Sequence, residues 1–177
     1  SYINGTPAIT DTMAIVGGCD AFLHILPLAD PNQVRRIDTG SYIPSSPAVF
    51  ENLAYVGNFD GQILCADLQN GTILWTYSNP DESFFAIPAV SDRYVIIGSR
   101  QKKLICLDRG TGKEIWKFAT EGTVNSSPVI CGSKVIFGAD DGFLRLLNLA
   151  DGKRDLAAIL AGVVRLMRIA PVSREMI

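Results

Sequence analysis

The apolar residues of this chain fall in short runs, and nearly every run is closed by glycine, asparagine, aspartate or proline. Residues 47 to 77 show the pattern. Pro47–Phe50 is a brief apolar run, with proline at the first position of a strand, where its missing N–H is tolerated. Glu51-Asn52 turns the chain into a second run, Leu53–Gly57. Asp60-Gly61 is a hairpin signal, and it leads into Gln62–Asp67. Asn70-Gly71 turns again into the last run, Thr72–Tyr77. β-branched and aromatic side chains fill these runs, so the pattern predicts four short strands rather than a helix. Only the last stretch departs from it. Leu156, Ile159, Val163, Leu166 and Ile169 stand near helical spacing.

The same four-strand unit recurs. Pro7, Pro47, Pro88 and Pro128 are spaced by 40, 41 and 40 residues. Gly17, Gly57, Gly98 and Gly138 keep the same intervals, as do Val16, Val56, Ile97 and Phe137, and again Ile25, Cys65, Cys106 and Leu146. Four strands in about forty residues, repeated, is the unit of a β-propeller blade. The expected fold is therefore all-β, with antiparallel four-stranded blades and about four of them present. They form an open arc or part of a larger ring. The units run over about residues 1–40, 41–81, 82–122 and 123–154. Residues 155–177 read either as a short helix over 155–169 or as the worn start of a further blade, since Gly162-Val163-Val164 aligns with Gly122-Thr123-Val124.

One stretch invites a different reading. Arg109–Trp116, RGTGKEIW, has the ingredients of a phosphate loop. Such a loop needs GxxxxGK[ST] between a strand and a helix. Here Leu107 stands in place of the first glycine and Glu114 in place of the hydroxyl residue. Thr111-Gly112-Lys113 also shares its column with Asn70-Gly71-Thr72 and Asp151-Gly152-Lys153, so the glycines are read as turn residues. Gly61, Gly71, Gly112, Gly142 and Gly152 form the predicted set of structural turns.

Ile63–Trp75 (ILCADLQNGTILW) and Leu104–Phe118 (LICLDRGTGKEIWKF), with the flanking SSPAV and SSPVICGSKVIFGADDG, resemble the repeat of the pyrroloquinoline-quinone-type β-propellers. The resemblance covers about residues 5 to 155. It implies that Trp75 and Trp116 dock each blade on its neighbour, and that Asp67 and Asp108 are the aspartates preceding them. The outer units depart from it. Pro27 and Arg35 replace aspartate and tryptophan in the first, and Asn148 and Leu156 replace them in the fourth. Rings of this family have about seven or eight blades, so the chain is expected to be part of a longer arrangement, to be capped, or to associate with itself.

The resemblance leaves two functional readings open. One is a non-catalytic scaffold that binds a protein partner through blade loops or exposed edge strands, similar to the propeller lipoprotein of the outer-membrane β-barrel assembly machinery. The other is a piece of a quinoprotein dehydrogenase, with pyrroloquinoline quinone and calcium held by blades outside this chain. The residues themselves point to no catalytic, cofactor or metal site. Family members that oxidise alcohols or sugars carry a tryptophan under the quinone, carboxylates on calcium and often adjacent cysteines. Here Cys19, Cys65, Cys106 and Cys131 are far apart. Asp60, Asp140 and Asp141 sit beside glycine in turns, where such side chains support the backbone. His24, the one histidine, falls in a strand column otherwise held by Leu64, Ile105 and Arg145. Ser45, Ser46, Ser126 and Ser127 have no histidine in a matching column.

Charge and composition narrow the partners. Sixteen basic and eighteen acidic residues nearly cancel, and no basic stripe of the kind that binds nucleic acid is present. The apolar run Leu156–Val164 is too short to span a bilayer. SYINGTPAIT at the N-terminus has no basic head and no apolar stretch, so no secretory signal is read there. A periplasmic or cell-envelope location follows if the full-length protein carries a signal, and the compartment otherwise stays open.

Overall fold

A computed structural model describes residue 3 and residues 5–154 of the chain. The helix or fifth-blade reading of residues 155–177 lies outside the described residues. Within them the chain forms fifteen strands and no helix.

The strands make four antiparallel sheets, each in sequence order. The first blade holds β1 (Ala8–Ile9), β2 (Met13–Gly17), β3 (Phe22–Pro27) and β4 (Arg35–Asp38). The second holds β5 (Ala48–Phe50), β6 (Leu53–Gly57), β7 (Gln62–Asp67) and β8 (Thr72–Ser78). The third holds β9 (Ala89–Val90), β10 (Tyr94–Ser99), β11 (Lys103–Asp108) and β12 (Glu114–Ala119). In the fourth, β13 (Val129–Cys131), β14 (Lys134–Gly138) and β15 (Leu144–Asn148) are followed by a single bridge from Leu147 to Arg154. The arrangement is an open arc of propeller blades.

The two middle strands of an inner blade are covered on both sides by neighbouring sheets. That is why the centres of β6, β7, β10 and β11 are continuously apolar and buried, with Gln62, Asp67, Lys103 and Asp108 confined to the ends of β7 and β11. The outer strand β8 has one exposed edge, and its burial alternates residue by residue. Three apolar layers result, one per joint. Ile15, Leu23, Ile25 and Ile37 of the first blade meet Val56, Leu64 and Leu68 of the second. Tyr55, Ile63 and Cys65 meet Val95, Ile97, Ile105 and Leu107. Ile96, Leu104, Cys106 and Trp116 meet Val135, Phe137, Leu147 and Leu149.

The crossover loops stitch the joints at one face of the arc. The N–H of Ile43, Phe84 and Val124 donates to the carbonyl of Gly18, Asn58 and Ser99 in the blade just left. The carbonyl of Tyr42, Ser83 and Thr123 accepts from Phe59, Arg100 and Asp140 in the blade about to form. The serines before the prolines add bonds nearer the inner strands. Ser46 accepts from Thr6 N–H at 2.7 Å and Ser127 from Ile87 N–H at 3.1 Å, each one blade away. The Ser45 hydroxyl donates to the Ala86 carbonyl at 3.2 Å.

Candidate interaction surface and blade joints

Each tryptophan reaches the next blade because of a bulge. β7 pairs Cys65 with Trp75 but Ala66 with Ile73, so Leu74 is an extra residue. Ile73 consequently packs toward the first blade and Trp75 toward the third. β11 and β12 repeat the device, with Ile115 the extra residue before Trp116. A bulge of this kind re-aims the side chain that follows it.

The turns after β7 and β11 are each built by an aspartate and a glycine, and the second of them receives the Trp75 indole. Asp67 accepts from Gln69 N–H at 2.8 Å and from Asn70 N–H at 3.0 Å. Asp108 accepts from Thr111 N–H at 2.9 Å and from its hydroxyl at 2.8 Å. These bonds hold both carboxyls below their ordinary pKa, chiefly through Asn70 for Asp67 and Thr111 for Asp108. Gly112, at φ +69°, then lies flat beneath Trp75, where an added Cβ would come within 2.5 Å of the ring. Gly152, at φ +67°, lies beneath Trp116, with a Cβ at 2.6 Å. Trp75 donates its indole N–H to Arg109 O at 2.8 Å, and Trp116 donates to Leu149 O at 2.9 Å.

Gly71, Gly61 and Gly142 differ from that pair. Gly71 has the same conformation, φ +70°, but no indole lies over it and a Cβ would meet open space. Gly61, at φ +76°, is pinned by the Asn79 carbonyl, which a Cβ would meet at 1.9 Å. Gly142, at φ +80°, faces open space.

In the first blade Arg35 occupies the tryptophan column. It donates to Leu68 O and Gln69 O, both at 2.7 Å. Leu68 stands in the column of Arg109 and Leu149, so the arginine uses the same backbone acceptor as the two indoles. Sequence reasoning read this position as a loss, because arginine and tryptophan share no hydropathy. The donor they have in common was the available signal.

The acids beside the turn glycines are engaged within the protein. Asp141 accepts from Arg145 at 2.6 and 2.9 Å and from the N–H groups of Glu121 and Gly122 at 3.0 and 3.2 Å. The Arg145 guanidinium holds its pKa well below the carboxylate range. Asp140 accepts from Thr123 and from Asn125. Burial pushes the Cys65 thiol up to about 11 and the Cys106 thiol up to about 12, so neither is a thiolate near neutral pH. Among the described residues no group of three or more His, Cys, Asp or Glu could hold a metal ion. A quinone sandwich needs an open indole face and free carboxylates. The described residues do not fit one: both indoles lie against glycine backbone, and Asp141 is tied to Arg145.

Aromatic residues gather on the loop face. Tyr42 of the first crossover loop stacks on Phe59 of the β6–β7 turn, ring centres 4.6 Å apart. Phe59 meets Phe85 of the next crossover loop edge to face at 6.1 Å. The Arg100 guanidinium, in the β10–β11 turn, lies 4.7 Å over Phe85. Phe59 is 42% exposed although it is large and apolar, and Arg100 beside it is exposed too. The ridge thus runs across the second joint. Sequence reasoning passed over it because its residues keep no period: the column of Phe59 and Arg100 also holds Cys19 and Asp140.

The sequence model of the family described as outer membrane protein assembly factor BamB matches residues 60–156. No curated protein sequence matches the chain. Among solved structures, BamB from Moraxella catarrhalis aligns with a TM-score of 0.74 at 21% identity, over 87% of this chain and 52% of that one. The computationally designed Ika4 protein aligns with a TM-score of 0.76 at 19% identity, over 84% of this chain and 92% of that one. A quinohemoprotein alcohol dehydrogenase from Pseudomonas putida HK5 aligns with a TM-score of 0.75 at 17% identity, over 87% of this chain and 33% of that one. The chain thus spans about half of the Moraxella structure and a third of the dehydrogenase. At these identities the likeness is one of fold. No helix among the described residues is long and apolar enough to cross a membrane.

Proposed function

The chain belongs to the family of the outer membrane protein assembly factor BamB, and from that premise we propose that it is a non-catalytic propeller scaffold that binds a protein partner on its loop face. The observation that carries this reading is the ridge of Tyr42, Phe59, Phe85 and Arg100. Exposed aromatics locked by stacking lose little freedom on binding, and aromatic and arginine residues dominate protein interfaces. Both indoles pack against glycine backbone of the next blade, which favours a scaffold over a dehydrogenase piece, since a quinone stacked on that face would have to displace a blade contact. By the family's description, the partner is a component or client of outer-membrane protein assembly.

The test places a photo-crosslinking residue at Phe59 and at the exposed edge-strand position Thr72 in cells that make the protein, and identifies the captured chain. Capture of one envelope protein from Phe59 and not from Thr72 supports the loop face. For that captured protein, Phe59→Ala should weaken binding by roughly 2 kcal/mol, about thirtyfold, with melting unchanged. Capture from Thr72 alone would move the partner to the strand edge. Cofactor absorbance on the protein after adding pyrroloquinoline quinone and calcium, with dye reduction by alcohols or glucose, would replace the scaffold with the dehydrogenase reading.

A further inference from the structure

In the turn after β7 an amide side chain stands directly before a glycine. The column reads Asn70-Gly71 in the second blade, Thr111-Gly112 in the third and Asp151-Gly152 in the fourth. All three glycines hold a positive φ. Gly112 lies against the Trp75 ring and Gly152 against the Trp116 ring, but nothing comes within 4 Å of a Cβ placed on Gly71. Asn70 itself is exposed. With no side chain on the glycine and no ring above it, the backbone has room to close on the Asn70 carboxamide.

That closure needs only water and hydroxide. Hydroxide takes the proton of the Gly71 N–H, and the nitrogen attacks Cγ of Asn70. The new C–N bond closes a succinimide ring, the Cγ–Nδ2 bond breaks, and Nδ2 leaves as ammonia with a proton from water. Water then opens the ring at either carbonyl, giving aspartate or isoaspartate. The fold sets hydrogen bonds against each part of this path, and all of them end on Asp67. The Gly71 N–H, whose proton must leave, donates to Asp67 O at 2.9 Å. Nδ2, the leaving nitrogen, donates to Asp67 Oδ2 at 2.7 Å. The Asn70 N–H donates to Asp67 Oδ1 at 3.0 Å.

We propose that Asn70 is a site of spontaneous deamidation, that Asp67 restrains the reaction while the second blade is folded, and that the modified turn loosens the joint with the first blade. Either product removes the amide donor from Asp67. Aspartate sets a second carboxylate beside it. Isoaspartate adds a methylene to the backbone of the turn whose Leu68 and Gln69 carbonyls hold Arg35 of the first blade, both at 2.7 Å. The proposal is independent of the scaffold reading, since it concerns this turn and not the loop face.

Peptide mapping with isoaspartate detection tests it, on the full chain aged at mildly alkaline pH with and without urea. The native chain should react slowest at Asn70 and the urea-unfolded chain fastest. Asp67→Ala should react about tenfold faster than the native chain, as the loss of one or two hydrogen bonds allows. Asp67→Asn keeps an oxygen acceptor and should fall between the two. Far-UV circular dichroism confines the comparison to folded chains, and Asp67→Asn carries it if Asp67→Ala does not fold. The urea midpoint of the native chain should fall as the modified fraction grows. Asn70→Thr cannot react there and keeps a donor of the kind seen in Thr111, whose hydroxyl bonds Asp108 at 2.8 Å, so its midpoint should hold through the same ageing. The other Asn-Gly pair, Asn4-Gly5, is common to both chains and is read from its own peptide. A native chain that reacts as fast in buffer as in urea, folded Asp67 variants no faster than the native chain, or an equal fall in midpoint with and without Asn70 would each overturn the proposal.

Discussion

Gly71 and Gly112 have nearly the same backbone, φ +70° and +69°, in the same turn of successive blades. An argument from conformation alone says that alanine should cost the same at both. The left-handed region costs an L-residue roughly 1–2 kcal/mol, partly offset because alanine also restricts the unfolded chain. About 1 kcal/mol is the expected loss for Gly71→Ala, whose Cβ meets nothing within 4 Å. At Gly112 the new methyl would sit 2.5 Å from Cε3 and 2.7 Å from Cδ2 of Trp75. Neither partner can yield cheaply, because one is backbone and the other a rigid ring held by the bond to Arg109 O. The indole must leave, forfeiting that bond and much of its packing. Full truncation of a buried tryptophan costs roughly 3–5 kcal/mol, which sets the scale for Gly112→Ala. For a domain of this size each kcal/mol moves Tm by about 2–4 °C. Gly71→Ala should then lower Tm by a few degrees and Gly112→Ala by roughly 10 °C, read by far-UV circular dichroism with tryptophan fluorescence alongside. Asparagine sharpens the test: it tolerates positive φ, so Gly71→Asn should be nearly silent while Gly112→Asn stays costly. Equal shifts at the two glycines would refute the claim that they differ by the indole above them.

Two further outcomes follow from the joints. Arg35→Ala should cost about 1 kcal/mol by urea unfolding, since its fork is solvent-exposed, and Arg35→Lys should recover only part of it because an ammonium cannot reproduce the planar fork. Asp141 has a folded pKa depressed below its ordinary value of 3.8, so its contribution is fully present above about pH 4 and is lost as pH falls below that. The stability gap between the native chain and Asp141→Asn should therefore be widest near neutrality and close in acid; a gap that widened as the pH fell would contradict the Arg145 pairing.

Strand positions were legible because burial in a propeller writes itself into the sequence. A middle strand sandwiched between two sheets must be apolar on both sides, and the predicted Leu53–Gly57 and Gln62–Asp67 are the observed β6 and β7. The outer strand was legible as a strand but not in its facing. Ile73 and Trp75 are two apart and read as sharing a face, yet the extra residue Leu74 sends them to opposite joints. A bulge leaves no mark in hydropathy. The turn glycines were readable from Asn-Gly and Asp-Gly pairs, which report φ and say nothing of what lies above the turn. That is why Gly112 and Gly71 look alike in sequence and differ in space. The serines before the prolines carry no local mark of their role, because their bonds across the joints link residues about forty apart.

The joints combine a demanding layer with a permissive one. The apolar layer fixes which columns must be large and aliphatic. The bond that crosses it ends on a backbone carbonyl, at Leu68, Arg109 and Leu149, and a carbonyl is present whatever side chain stands there. Any donor of the right reach can then serve, an indole in two blades and a guanidinium in a third. Substitution at the donor position changes the strength of a joint without changing its geometry. The same logic frees the turns on the loop face. Cys19, Phe59, Arg100 and Asp140 share one column; Phe59, Arg100 and Asp140 each bond the crossover loop through the backbone N–H, and of these three Asp140 adds side-chain bonds to it, from Thr123 and Asn125, whereas the Phe59 and Arg100 side chains lie in the exposed ridge. A position that the fold holds by its backbone alone leaves its side chain to whatever the surface must recognise. This is the physical reason for looking to Phe59 and Arg100, and not to the regular columns, for what the protein binds.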